Sequence, residues 1–168
     1  MSKEYTCLGM MSGTSGDGVD ASIIRSNGLD ELVVLKEKYY EYDENLFKAF
    51  HNLKKKINSI NDLKKLSSPI NELEKNITLF HAKVIKDIAQ DFNLDLIGFH
   101  GQTIYHNPLE KISLQLGNGT LLSQLSKKKI VFNFRKNDIK NGGEGAHLTP
   151  IFHKYLLKSK KIKLPACI

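Results

Sequence analysis

An α/β domain built on a mixed sheet is the fold these 168 residues predict, and three observations point to it. Strand-like apolar runs alternate with helix-period stripes along the chain. Eleven of the twelve glycines fall in three windows, 9 to 18, 98 to 119 and 142 to 145, with none between Leu29 and Ile97. Glycine-free stretches suit regular elements, so the windows mark turns or places of close backbone approach. The length allows one domain with a real core, and 40% apolar with 26% charged residues is ordinary for a globular chain.

Residues 4–11, 19–26 and 32–42 read as three successive strands. The turn within GMMSGTSGDGVD (9–20) joins the first two, and Asn27-Gly28-Leu29-Asp30 joins the next, Asn-Gly being a strong hairpin signal. Short helical pieces follow at 44–53 and 62–66. A long helix comes next, with Ser68 as N-cap and Pro69 in the first turn. Its Ile70, Leu73, Ile77, Phe80, Val84 and Ile88 recur at spacings of three and four and form one core-packing stripe. Residues 94–100 read as a short buried strand ending at Gly101, 113–116 as a short extended piece and 120–125 as a short helix. Residues 130–134 read as a fully buried parallel strand. Thr149 caps a helix that has Pro150 in its first turn and runs through Leu157; 163–168 read as a strand just begun. The resulting order is β-β-β-α-β-α-β-α.

A formal net charge of +7 invites a nucleic-acid partner, but the basic residues are 23 lysines and only Arg25 and Arg135. Lysines scattered over solvated faces do not make a nucleic-acid site, and none is expected. The runs 54–56 and 127–129 read as a helix face and a strand approach. No apolar run reaches membrane-span length and no leader layout is present, so a cytoplasmic chain with no membrane partner is expected. Cys7 and Cys167 sit in strand-like apolar contexts and read as reduced core residues.

Three places have the residues for chemistry. The first window lacks the lysine of a P-loop and leads into a strand, unlike a dinucleotide fingerprint. Its glycines would let backbone N–H groups close on an anion, with Thr14 and Ser15 as hydroxyl donors. Asp17 would then meet phosphate only through a hydrated Mg²⁺. The same stretch reads equally as a polar hairpin in which Asp17 and Asp20 satisfy turn amides. In the second window, Gln102 and Thr103 follow a strand that breaks at His100-Gly101, where open α/β sheets place ligand contacts, and suit sugar hydroxyls. His100 reads as a hydrogen-bonded residue at the strand end, and a zinc site with His106 is not expected. In the third window Arg135 suits a carboxylate, with Asp138 to orient it or bind hydroxyls; a structural clamp is the other reading. Three glycine-rich windows at three strand ends suggest one shared cleft.

Taken in order, GMMSGTSGDGVD, IGFHGQTIYHNP, SLQLGNG and FNFRKNDIKNGGEGAHLTPIFH resemble the 1,6-anhydro-N-acetylmuramic acid kinases over essentially the whole chain. Those sugar kinases belong to the actin/hexokinase/Hsp70-like ATPase superfamily. The resemblance implies a ribonuclease H-like, actin-like ATPase lobe, with residues 1–168 as a single N-terminal lobe. It implies transfer of the ATP γ-phosphate to O6 of 1,6-anhydro-N-acetylmuramate, with water opening the anhydro ring, in cell-wall recycling. ATP and Mg²⁺ are the implied cofactors. Gly13, Thr14, Ser15, Gly16, Asp17, Gly18, Val19 and Asp20 would form the phosphate loop, Asp17 near the metal through water. Gln102, Thr103, Arg135 and Asp138 would lie toward the sugar, Arg135 reaching its lactyl carboxylate. The catalytic aspartate is expected beyond residue 168, in a second lobe, so no catalytic residue is assigned here. The implied partners are the sugar and, as in full-length relatives, a second copy in a homodimer; a separately encoded C-terminal lobe would complete the kinase, and the alternative reading is a catalytically inactive relic or ATP- and sugar-binding fragment.

Four positions depart from the family pattern: Gly16 for Leu, Asn118 for Asp, Glu144 for Gln and His147 for Pro. Gly16 is expected to loosen the loop and weaken ATP binding, because glycine loses most entropy on ordering. Glu144 is expected to repel an anionic substrate.

Overall fold

The computed structural model of the protein describes residues 3–146 and 148–159. Alternating apolar residues make β1 (Tyr5–Ser12) and β2 (Gly18–Ser26), which pair antiparallel across the first glycine window. β3 (Leu32–Glu41) pairs antiparallel with β2. Leu8, Met10 and Ser12 of β1 and Val19, Ala21 and Ile23 of β2 point to the same buried face. Above it lie α1 (Glu44–Lys54), capped by the Asp43 carboxylate, α2 (Ile60–Lys65), capped by Ser59, and α3 (Ser67–Ile88).

The apolar stripe of α3 forms as its spacing dictates. Ile70, Leu73, Ile77, Val84 and Ile88 are buried and Phe80 is half-buried. The helix start differs from expectation: Ser68 lies inside α3, Leu66 precedes it, and no side chain caps it. α2 ends at the residue from which α3 begins, so Leu66 leaves no extended N-cap position for a serine to occupy.

β4 (Leu96–Asn107) does not end at Gly101. Its first half pairs parallel with β1 and with β6 (Ile130–Val131); its second half pairs antiparallel with β5 (Ile112–Leu116). The sheet therefore runs β3-β2-β1-β4-β5, with β6 beside β4. α4 (Gly119–Ser126) follows β5, and the Asn118 carboxamide caps it by accepting from Leu121 N–H.

β6 also differs from expectation. Only two residues pair, parallel as expected, but Ile130 is half-buried and Val131 exposed. Asn133 adopts a left-handed conformation (φ 62°), and the chain turns into α5 (Phe134–Lys140), a helix absent from the expected order. The run Ile-Val-Phe-Asn-Phe has strand composition, yet the Phe132 ring packs on Gly119 instead of extending a strand. The last helix among the described residues, α6, spans Pro150–Ser159. The expected strand at 163–168 and Cys167 lie outside the described residues, as does His147.

Candidate functional site

Residues Gly13–Asp17 form the β1–β2 turn, closed by Gly16 N–H donating to the Gly13 carbonyl at 3.1 Å. Gly16 has φ +66°, and a Cβ there would overlap the ring of fully buried Phe50. Glycine at 16 therefore lets α1 approach the turn more closely than a side chain would allow. The other end of the turn is tied by Tyr42 N–H to the Asp17 carbonyl, 2.8 Å.

The Asp17 side chain is exposed. The Ser15 hydroxyl donates to it at 2.7 Å, and backbone N–H groups and the Tyr39 hydroxyl join, so its carboxyl is held below the usual carboxylate range. An exposed, ionised carboxylate beside turn amides fits a hydrated Mg²⁺, which takes one or two carboxylates and keeps several waters. Asp20 also points outward, from the exposed face of β2. Sequence reasoning missed Lys54. Its ammonium, on the last turn of α1, donates to the Thr14 carbonyl at 2.7 Å and brings a cation to a turn that has none of its own.

Beneath the turn lies a buried polar cluster. Ser12 Oγ stands 3.2 Å from Tyr42 Oη and 3.5 Å from His81 Nε2. Tyr42 donates to Gln102 Oε1 at 3.3 Å, and Gln102 Nε2 donates to the Gly13 carbonyl at 2.7 Å. The Ile77 carbonyl only accepts, so His81 Nδ1, 2.8 Å away, carries the proton and Nε2 is left as acceptor. Burial pushes the His81 pKa down to about 4 and the Tyr42 pKa up to about 12, so both stay neutral at pH 7.

Gly101 explains how Gln102 reaches this cluster. Met10 pairs with Phe99 but Ser12 pairs with Gln102, so β4 contains one extra residue, with Gly101 at φ +73°. That bulge moves the core-facing set from Ile97 and Phe99 to Gln102 and Ile104. Gln102 is fully buried and both ends of its amide are engaged within the protein. Thr103 is also buried, its hydroxyl accepting from Gln115 at 3.3 Å. Gln102 is thus turned toward the Gly13–Asp17 turn, while the Thr103 hydroxyl faces β5 with its own proton uncommitted.

The third window joins the second through Arg135. Its Nε donates to His100 Nε2 at 2.9 Å, and its Nη1 donates to the Gly145 carbonyl at 3.0 Å. His100 donates from Nδ1 to the Gly101 carbonyl at 2.8 Å, and burial holds its pKa below the ordinary range. Asp138 Oδ2 accepts from Gly145 N–H at 2.8 Å. Arg135 and Asp138 thus grip opposite sides of one residue, while Glu144 is exposed beside them. Among the described residues two of the five guanidinium donors are committed, and the others suit a planar anion. The three windows are linked in series along β4, turn to Gln102 and His100 to Arg135.

α3 holds the remaining residues that sequence reasoning passed over. Glu74, Thr78 and His81 recur at spacings of four and three, and the last two are fully buried. Glu74 accepts from Gly117 N–H at 3.2 Å and Thr78 from Asn118 N–H at 2.9 Å, pinning the glycine turn before α4. Polar side chains at stripe spacing are the signal that would have found them.

A family model for anhydro-N-acetylmuramic acid kinase matches residues 5–166. The chain belongs to that family. The anhydro-N-acetylmuramic acid kinase of Pelagibacter ubique is 57% identical over 170 aligned residues, covering 100% of this chain and 45% of that protein. Those of Agrobacterium fabrum and Rhizobium etli are 33% and 32% identical, covering 93% and 90% of this chain and 43% and 42% of theirs. The chain thus spans under half the length of the curated relatives it matches. The sheet and its helices are the actin-like ATPase α/β fold of the anhydro-N-acetylmuramic acid kinase family. Asn118, one of the four positions read as departures, serves as the cap of α4. Among the described residues, no helix is long and apolar enough to cross a membrane.

Proposed function

We propose that this chain is the N-terminal lobe of a cytoplasmic kinase that moves the ATP γ-phosphate onto O6 of 1,6-anhydro-N-acetylmuramate, water opening the anhydro ring at C1. The product, N-acetylmuramate 6-phosphate, belongs to cell-wall recycling. The turn Gly13–Asp17 carries this reading: a glycine-rich strand–strand turn fixed from below, with an ionised carboxylate and a lysine ammonium at its edge. Its N–H groups hold phosphate oxygens, Lys54 offsets their charge, and Asp17 holds a water-rich Mg²⁺. That ion would draw charge from the phosphates as transfer proceeds. Val19 and Asp20 close the same segment from β2.

The sugar side narrows to Arg135, with Asp138 as the residue that sets it through Gly145. The lactyl carboxylate suits the unspent edge of the guanidinium. Arg135→Lys is expected to weaken sugar binding roughly tenfold, because a point charge replaces a bidentate fork. Titration with anhydro-muramate checks this, and unchanged affinity counts against the assignment.

The general base that activates water is supplied from outside these 168 residues, by a second lobe such as the longer relatives have room for. The purified chain is expected to show no ATP-dependent phosphorylation of anhydro-muramate, and to gain it when mixed with a polypeptide corresponding to the remaining length of the Pelagibacter relative. Turnover by the chain alone, or none in the mixture, contradicts this division.

A further inference from the structure

We propose that Gln102 is a positioning residue for the turn Gly13–Asp17, acting through the Gly13 carbonyl; this rests on that turn being the one that receives nucleotide phosphates. Gln102 is fully buried, so its carboxamide cannot exchange partners with water. The Gly13 carbonyl only accepts, which fixes Nε2 toward it and Oε1 toward the Tyr42 hydroxyl. Ser12 and His81 complete the support from β1 and α3.

Peptide planarity carries the effect to the surface. In a trans peptide the carbonyl of one residue and the N–H of the next point opposite ways. With the Gly13 carbonyl drawn inward by Gln102, the Thr14 N–H is turned outward, to the side where phosphates would approach. The same carbonyl accepts from Gly16 N–H, so one buried side chain sets both the direction of a donor and the closure of the turn. Fully satisfied buried networks of this kind hold a single arrangement, whereas a partly satisfied one would let the turn sample others. Gln102 itself touches no ligand; its contribution is the geometry it imposes.

The test uses the whole chain, with hydrogen exchange read by NMR and Mg·ATP affinity read by titration. Gln102→Leu removes the donor to Gly13 at similar volume. Exchange of the Gly16 amide is expected to rise about tenfold or more while the Ile97 amide, bonded to the Lys129 carbonyl across the sheet, keeps its rate. Mg·ATP affinity is expected to fall about tenfold in parallel. Should that variant not fold, Tyr42→Phe carries the test, because it keeps the ring and deletes only the hydroxyl that holds Gln102. Its changes are expected to have the same sign and smaller size. Equal acceleration at Gly16 and Ile97 would mean general loosening and would overturn the proposal. So would faster Gly16 exchange with unchanged Mg·ATP affinity. Absence of Mg·ATP binding in the unsubstituted chain is seen before any variant is made; it removes the phosphate-turn reading and this proposal with it.

Discussion

Lowering the pH from 7 to 4 is expected to cost the fold up to about 3 kcal/mol through His81 alone. Burial is the main cause of its folded pKa of about 4, against 6.5 for an unperturbed histidine. Above the unfolded value the residue is neutral in both states and the fold keeps this contribution in full. As pH falls from about 6.5 toward 4, the unfolded chain takes up a proton that the folded one refuses, and stability drains away. Below the folded value both states are charged and the loss levels off. His100, shifted the same way by burial, adds to it. The lowered carboxyls of Asp17, Asp62 and Asp87 are lost only at more acid pH, as they protonate through their folded values. Urea unfolding at three pH values, compared with His81→Gln, isolates the effect. The variant should be less stable at pH 7 yet show a shallower decline; an identical decline would show that His81 is not its source.

Gly101→Ala is expected to destabilise by about 2–4 kcal/mol, the cost of a side chain in a strained backbone with no space to relax. Position 101 combines φ +73° with a would-be Cβ at 2.5 Å from the Leu116 backbone carbonyl, which belongs to the paired strand β5. Its effect reaches the turn as well. If the strand relaxes by losing the bulge, the residues after it change faces and Gln102 leaves Gly13. Denaturation should show the loss in midpoint, and the Gly13 carbonyl shift should move in a carbon-detected spectrum. A wild-type midpoint would mean that β4 carries the alanine without strain.

Why some of this was legible in the sequence and some was not follows from the range of the interactions. The apolar stripe of α3 announces itself through spacings of three and four, and β1, β2 and β3 through strand-like runs bounded by turn residues, all set by each element's own residues. The first window's aspartate and hydroxyls were legible for the same reason: they sit within one turn. The inward direction of Gln102 was not legible because it depends on a one-residue bulge fixed by pairing with β1 and β5, far apart in the chain. Lys54 looked like one solvated lysine among many until α1 packed its last turn against Thr14. Residues 130–134 had the composition of a buried strand, but Asn133 in the left-handed region ends the strand and starts α5. Arg135 and Asp138 were read as one pair from their spacing, while the Gly145 backbone that each of them bonds was not foreseeable from it.

The central claim, that Gly13–Asp17 receives nucleotide phosphates with Asp17 holding the metal, is open to one direct measurement. Titrating the isotopically labelled chain with ATP should shift the amides of Thr14 to Gly18 strongly when Mg²⁺ is present and weakly when it is withheld. In Asp17→Asn the difference between the two conditions should vanish while the spectrum elsewhere stays native. Shifts confined to other parts of the sheet, or turn shifts that ignore both Mg²⁺ and Asp17, would contradict the account.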